Sequence, residues 1–149
     1  QAPNKVFYEW VKNGFFVEAP TLIRPETVYG DSRFDLYAEA GEKRIFAEVK
    51  GVTLEDKGVA MFPDAPTERG VKHLRGLISA VKDGYEAYAV FVIQMENCKY
   101  FTPNRATDPD LYNALREAYL SGVKILCLSC TVEEDELTIA DNPFVTFII

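Results

Sequence analysis

The sequence predicts an α/β fold, a mixed β-sheet flanked by helices on both faces, and three observations carry that prediction. Two apolar runs, Ala87 to Ile93 and Val123 to Leu128, are continuous rather than alternating, as in strands buried on both faces. Two stretches, Arg33 to Ala38 and Arg44 to Gly51, alternate around the turn residues Glu39 to Glu42, which is a hairpin pattern. Segments of helical period are interleaved with these strands, giving the order helix, three strands, helix, strand, helix, strand.

Each element has its own local justification. Asn4 to Asn13 carries Val6, Phe7, Trp10 and Val11 at helical spacing, with Asn4 placed to cap the helix and Gly14 to stop it. A short strand is expected over Thr21 to Arg24, ended by Pro25. Gly41 marks the apex of the hairpin that follows. Gly51 to Pro66 reads as a long connection, with Lys57-Gly58 at the tip of a smaller hairpin. Thr67 caps a helix to about Lys82 whose inner face is Val71, Leu74, Ile78 and Val81, and Gly84 ends it. Asp108 to Ser121 is a further helix. The tail holds short strands near Leu137 to Ala140 and Val145 to Ile149.

Totals narrow the function classes. With 149 residues, 48% apolar and 26% charged, the chain fits one globular domain, residues 1–149. No apolar run is long enough for a membrane-spanning helix, so no membrane partner is expected. The chain opens at Gln1 rather than at methionine, which reads as a piece lacking an N-terminal region. Three cysteines fit a reducing cytoplasm, and the Cys127 to Cys130 pair lies in an apolar run that reads as core. The net charge of −7 argues mildly against nucleic acid, although a local patch can differ from the total.

Folding the hairpin about Gly41 and Glu42 sets Asp35 opposite Glu48, and strand alternation puts Lys50 on the same face as Glu48. Phe34, Leu36, Ala47 and Val49 then form the opposite, buried face. Two facing carboxylates repel unless a proton or cation lies between them, and hard oxygen donors of this kind suit Mg²⁺ or Mn²⁺. Such an ion activates water and polarises a phosphodiester, with Lys50 beside it to steady developing charge. The same spacing also fits a solvated hairpin face on which Lys50 merely neutralises its neighbours.

Longer strings settle more. Tyr29-Gly30-Asp31-Ser32-Arg33-Phe34-Asp35, Ala47-Glu48-Val49-Lys50-Gly51-Val52-Thr53-Leu54 and the run from Phe62 to Leu74 resemble the sugar fermentation stimulation protein A (SfsA) family in order and spacing. Pro3-Asn4-Lys5, Phe91-Val92-Ile93-Gln94, Phe101-Thr102-Pro103, Asp108-Pro109 and Gly122-Val123 extend the likeness over nearly the whole chain. The resemblance implies an N-terminal OB-like domain absent from this chain, and a restriction-endonuclease-like, PD-(D/E)xK core within it. It assigns Asp35, Glu48 and Lys50 to the catalytic positions, and the Val49 carbonyl joins the two acids as a metal ligand. Phe34 stands where the motif has proline. Glu9 and Glu26 compete for the accessory acid, and Asp64 either caps local turns or holds a metal-bound water.

The helix from Thr67 carries Arg69, Lys72, His73 and Arg75, read as nucleic-acid contacts, with Lys72, Arg75, Ser79 and Lys82 on one outward stripe. His73 is a candidate for phosphate contact or proton transfer. The expected function is therefore a metal-dependent, nuclease-like domain that binds DNA without sequence preference and hydrolyses its phosphodiesters. The alternatives are a DNA-binding regulator of sugar metabolism that keeps the fold without hydrolysis, and a binder of phosphorylated metabolites. A homo-oligomer is left open.

Overall fold

The computed structural model describes residues 2–149. In chain order the elements are α1 (Ala2–Lys12), β1 (Leu22–Tyr29), β2 (Ser32–Ala40), β3 (Lys43–Val52), β4 (Leu54–Asp56), β5 (Val59–Phe62) and α2 (Glu68–Lys82). There follow β6 (Glu86–Ile93), β7 (Tyr100–Pro103), α3 (Pro109–Leu120), β8 (Lys124–Glu133), β9 (Glu136–Phe144) and β10 (Thr146–Phe147). Six strands form a mixed sheet in the order β1-β2-β3-β6-β8-β9, parallel at β3-β6-β8 and antiparallel outside. A smaller sheet runs β10-β7-β5-β4.

Helices cover both faces of the main sheet, as the sequence pattern requires. Alternation along β6 sends Ala87, Ala89, Phe91 and Ile93 into the core beneath α2 and α3, and Val90 and Val92 into the core beneath α1. Cys127 and Cys130 divide likewise between the two cores as free, buried thiols, and burial pushes them to about 12 and about 11. The two large helices start at linked caps. The Thr67 hydroxyl accepts from Gly70 N–H at 3.0 Å, and Asp108 accepts from Leu111 N–H at 3.0 Å and from Thr67 N–H at 2.8 Å.

Several boundaries differ from the sequence expectation. Helix α1 begins at Ala2, so Asn4 lies inside its first turn rather than capping it. Strand β1 continues through Pro25 to Tyr29 and forms its own hairpin with β2. It is the outermost strand, where a proline's missing N–H leaves no ladder bond unmade. The buried face of α2 is centred on His73, Leu74, Leu77 and Ile78, and Val71 and Val81 lie at its margin.

Candidate functional site

The site begins where β2 and β3 separate. Their ladder runs from Ala40↔Lys43 to Leu36↔Ala47, the register that sets Asp35 against Glu48 as the sequence predicts. On its other side β2 pairs β1 through Pro25↔Leu36 and Thr27↔Phe34, so Glu26 stands opposite Asp35 with φ +49°. A left-handed residue in an edge strand breaks the regular pleat. The packing registers the break: Phe34 joins the α2-side core with Tyr37 and Phe46, but Leu36 joins the α1-side core with Ala47 and Val49. This corrects the expectation that Phe34 and Leu36 share one buried face.

At that break the Asp35 side chain takes the place of a backbone acceptor. The Val49 N–H donates to Asp35 Oδ2 at 2.7 Å, and the Asn4 amide donates to Oδ1 at 2.9 Å. The N–H and C=O of one strand residue point to the same neighbouring strand, so the Val49 carbonyl faces the same gap. Burial, then the negative charge of Glu48, raise Asp35 to about 6 against the opposing pull of the Val49 N–H and Lys50.

Glu48 is only 5% exposed. Its Oε2 accepts from Lys50 Nζ at 3.0 Å and lies 2.7 Å from His73 Nδ1. Burial alone would raise this acid, yet the His73 hydrogen bond and the Lys50 charge outweigh it and hold Glu48 below the usual range. Lys50 Nζ is also 2.8 Å from His73 Nδ1. One ring nitrogen has either a hydrogen for Glu48 or a lone pair for Lys50, so the three groups share protons rather than each being fully bonded. Glu48 Oε1 is buried without a hydrogen-bond partner.

Asp35, Glu48 and Lys50 are thus brought together, but not on a solvated hairpin face, because α2 packs His73 against Glu48 on that side. His73 is buried beneath α2 against Glu48, which corrects its placement among nucleic-acid contacts. Arg69, Lys72 and Arg75 are exposed on α2 as expected. Glu9 lines a different cleft, beside Trp10, Phe15, Asp135 and Glu136, and does not line the Asp35 groove. Glu26 lines the groove of about 310 Å³ that holds Asp35, and lies 3.5 Å from Arg33. Asp64 is exposed, and its carboxylate has no partner among the described residues. Asn4 carries the contact that the sequence reading missed, and only its place in the Pro3-Asn4-Lys5 string pointed to it.

Among the described residues no three His, Cys, Asp or Glu side chains form a metal cluster, so the side-chain donors here number two, Asp35 and Glu48. Two facing carboxylates, one with an unpartnered buried oxygen, fit a small divalent cation that keeps most of its waters.

Comparison with known proteins identifies the family and the fold. A family model described as the sugar fermentation stimulation protein RE domain matches residues 1–136. A sugar fermentation stimulation protein homolog of Desulfitobacterium hafniense (strain Y51) is 58% identical over 146 residues, covering 98% of this chain and 63% of the relative. The homolog of Ruminiclostridium cellulolyticum is 53% identical over 134 residues, covering 90% and 59%. The chain therefore spans less than two thirds of the length of these curated relatives. The solved structure of Pyrococcus furiosus SfsA in complex with Ca²⁺ superposes with a TM-score of 0.90 at 30% identity, covering 99% of this chain and 64% of that one. No described helix is long and apolar enough to cross a membrane.

Proposed function

The chain belongs to the sugar fermentation stimulation protein family, and from that premise we propose that it is a metal-dependent, nuclease-like domain acting on DNA phosphodiesters. The observation that carries this reading is the meeting of Asp35 and Glu48 at the end of a hairpin, with Lys50 bonded to Glu48. The mixed sheet flanked by helices is compatible with a restriction-endonuclease-like PD-(D/E)xK core, and the Ca²⁺ complex of the Pyrococcus furiosus protein supports a divalent cation here. Asp35, Glu48 and the Val49 carbonyl would hold Mg²⁺ or Mn²⁺, which when bound supplies an acidified water and polarises a phosphodiester. Asp35 contributes a carboxylate fixed by two donors. Lys50 holds Glu48 in place and keeps positive charge next to the position of the reacting phosphate. His73 supports both from behind. The buried free cysteines suit a reducing cytoplasm.

The test is calorimetric titration of Mg²⁺ and Mn²⁺, followed by cleavage assays on single- and double-stranded DNA. Asp35→Ala and Glu48→Ala are each expected to abolish both metal binding and cleavage. Cleavage that persists in both variants would overturn the proposal.

One observation favours a second reading. Glu48 already has Lys50 and His73 beside it, partners within the protein that offset its charge. In that case the domain is a DNA-binding regulator that keeps the fold without hydrolysis. It would bind DNA in a salt-dependent way that survives Glu48→Ala.

A further inference from the structure

In the first turn of α1, the metal-site reading gives no part to Pro3 or Lys5 and uses Asn4 only as a donor to Asp35. Their placement is nonetheless specific. A Cβ on Gly51, the residue after Lys50, would come within 2.6 Å of Pro3 Cγ, so the proline ring rests on the β3 backbone where only glycine leaves room. That contact seats the first turn of α1 at the end of β3. Asn4 then reaches Asp35 Oδ1 at 2.9 Å, and Val49 N–H holds Oδ2 at 2.7 Å. With one donor on each oxygen, the carboxylate is fixed in orientation before any ligand arrives.

Lys5 lines the groove of about 310 Å³ that ends at Asp35, together with Tyr8, Pro25 and Glu26. It is the one cation on that lining, although it also borders the cleft that holds Glu9, Asp135 and Glu136, and it forms no ion pair among the described residues. The carboxylate opens into this groove between α1 and β1, whereas the basic stripe of α2 lies on the opposite face of the sheet.

We infer that the Pro3-Asn4-Lys5 turn is part of the site, with Asn4 positioning Asp35 and Lys5 contacting the backbone phosphate of a DNA strand that enters along the α1–β1 groove. This rests on the reading of Asp35 and Glu48 as a divalent-cation site. It assigns the reacting strand to α1, and leaves α2 for more distant phosphates.

Ca²⁺ titration calorimetry on wild type, Asn4→Ala and Lys5→Ala tests it, with DNA oligonucleotide binding in Ca²⁺ followed by fluorescence anisotropy across a salt series. Asn4→Ala is expected to lose about tenfold or more in Ca²⁺ affinity. Its melting temperature should stay close to wild type, since alanine is the better helix former. Lys5→Ala should keep or tighten Ca²⁺ affinity, while its DNA affinity falls and the salt slope drops by about one. Lys5→Arg should restore both. Wild-type Ca²⁺ affinity in Asn4→Ala overturns the positioning role, and unchanged DNA affinity and slope in Lys5→Ala, or no DNA binding by wild type, overturns the phosphate contact. If wild type binds no Ca²⁺ at all, the cation-site reading itself fails, a result distinct from either of these.

Discussion

Asp35 carries a conflict that a purely structural residue would not keep. Its pKa is raised from 3.8 to about 6 by burial and by Glu48, so the metal-free fold gives up stability by ionising it. The folded value lies above the unfolded one, so this acid's favourable contribution is complete below about pH 4 and is lost as pH rises through about 6. Two units amount to about 3 kcal/mol for a fully buried group, and partial solvent access reduces that to about 1–2 kcal/mol. Asp35→Asn keeps an acceptor for Val49 N–H and removes the charge. It should therefore stabilise the metal-free protein by about that amount at pH 7.5 and by almost nothing at pH 4, as read by urea denaturation at both pH values. Glu48, held below its usual range, contributes in the opposite sense, its stabilisation being lost as pH falls. The pairing of these two acids was legible in the sequence because a hairpin register follows from its turn. The inward aim of His73 was not: Val71 and Val81 mimic an inner stripe, and the buried arc is set instead by Leu77, which packs under 1% exposed.

Elements position these residues through a few tight contacts. Gly51 is the clearest, because a methyl group there would come within 2.6 Å of Pro3 Cγ and 2.7 Å of Gln94 Nε2. The glutamine side chain can swing away, but the proline ring cannot. Gly51→Ala should cost about 1–3 kcal/mol in chemical denaturation through displacement of α1. Helix α2 offers a different expectation. Arg69, Lys72 and Arg75 are exposed along it, so their joint replacement by alanine should lower the salt slope of duplex DNA binding by about two to three. Melting temperature should barely change. The helices and the central strands were readable because their periods extend over several turns or an unbroken apolar run. In the small sheet the β4–β5 hairpin and the β10 segment were legible, but β7 was not, since it is four residues ending in Pro103 and gains its partners β5 and β10 only from distant chain.

For the whole molecule, β6 and β8 of the parallel centre were foreshadowed by apolar runs that leave no polar face, whereas β3 read as an alternating hairpin arm. The outer strands were harder to read, because one of their sides answers to solvent rather than to packing. Strand β1 shows what that freedom permits. An outermost strand presents unused backbone donors and acceptors, which invite another chain to add itself and begin a fibre. Here Pro25 withholds a donor midway along that rim, and the next residue, Glu26, turns left-handed and carries a charge. Another strand cannot stay in register across that interruption. The irregularity that turns Asp35 toward its partners therefore also guards the molecule against aggregation, and a variant straightened there, such as Pro25→Val with Glu26→Thr, would lose the site's geometry and gain a tendency to precipitate.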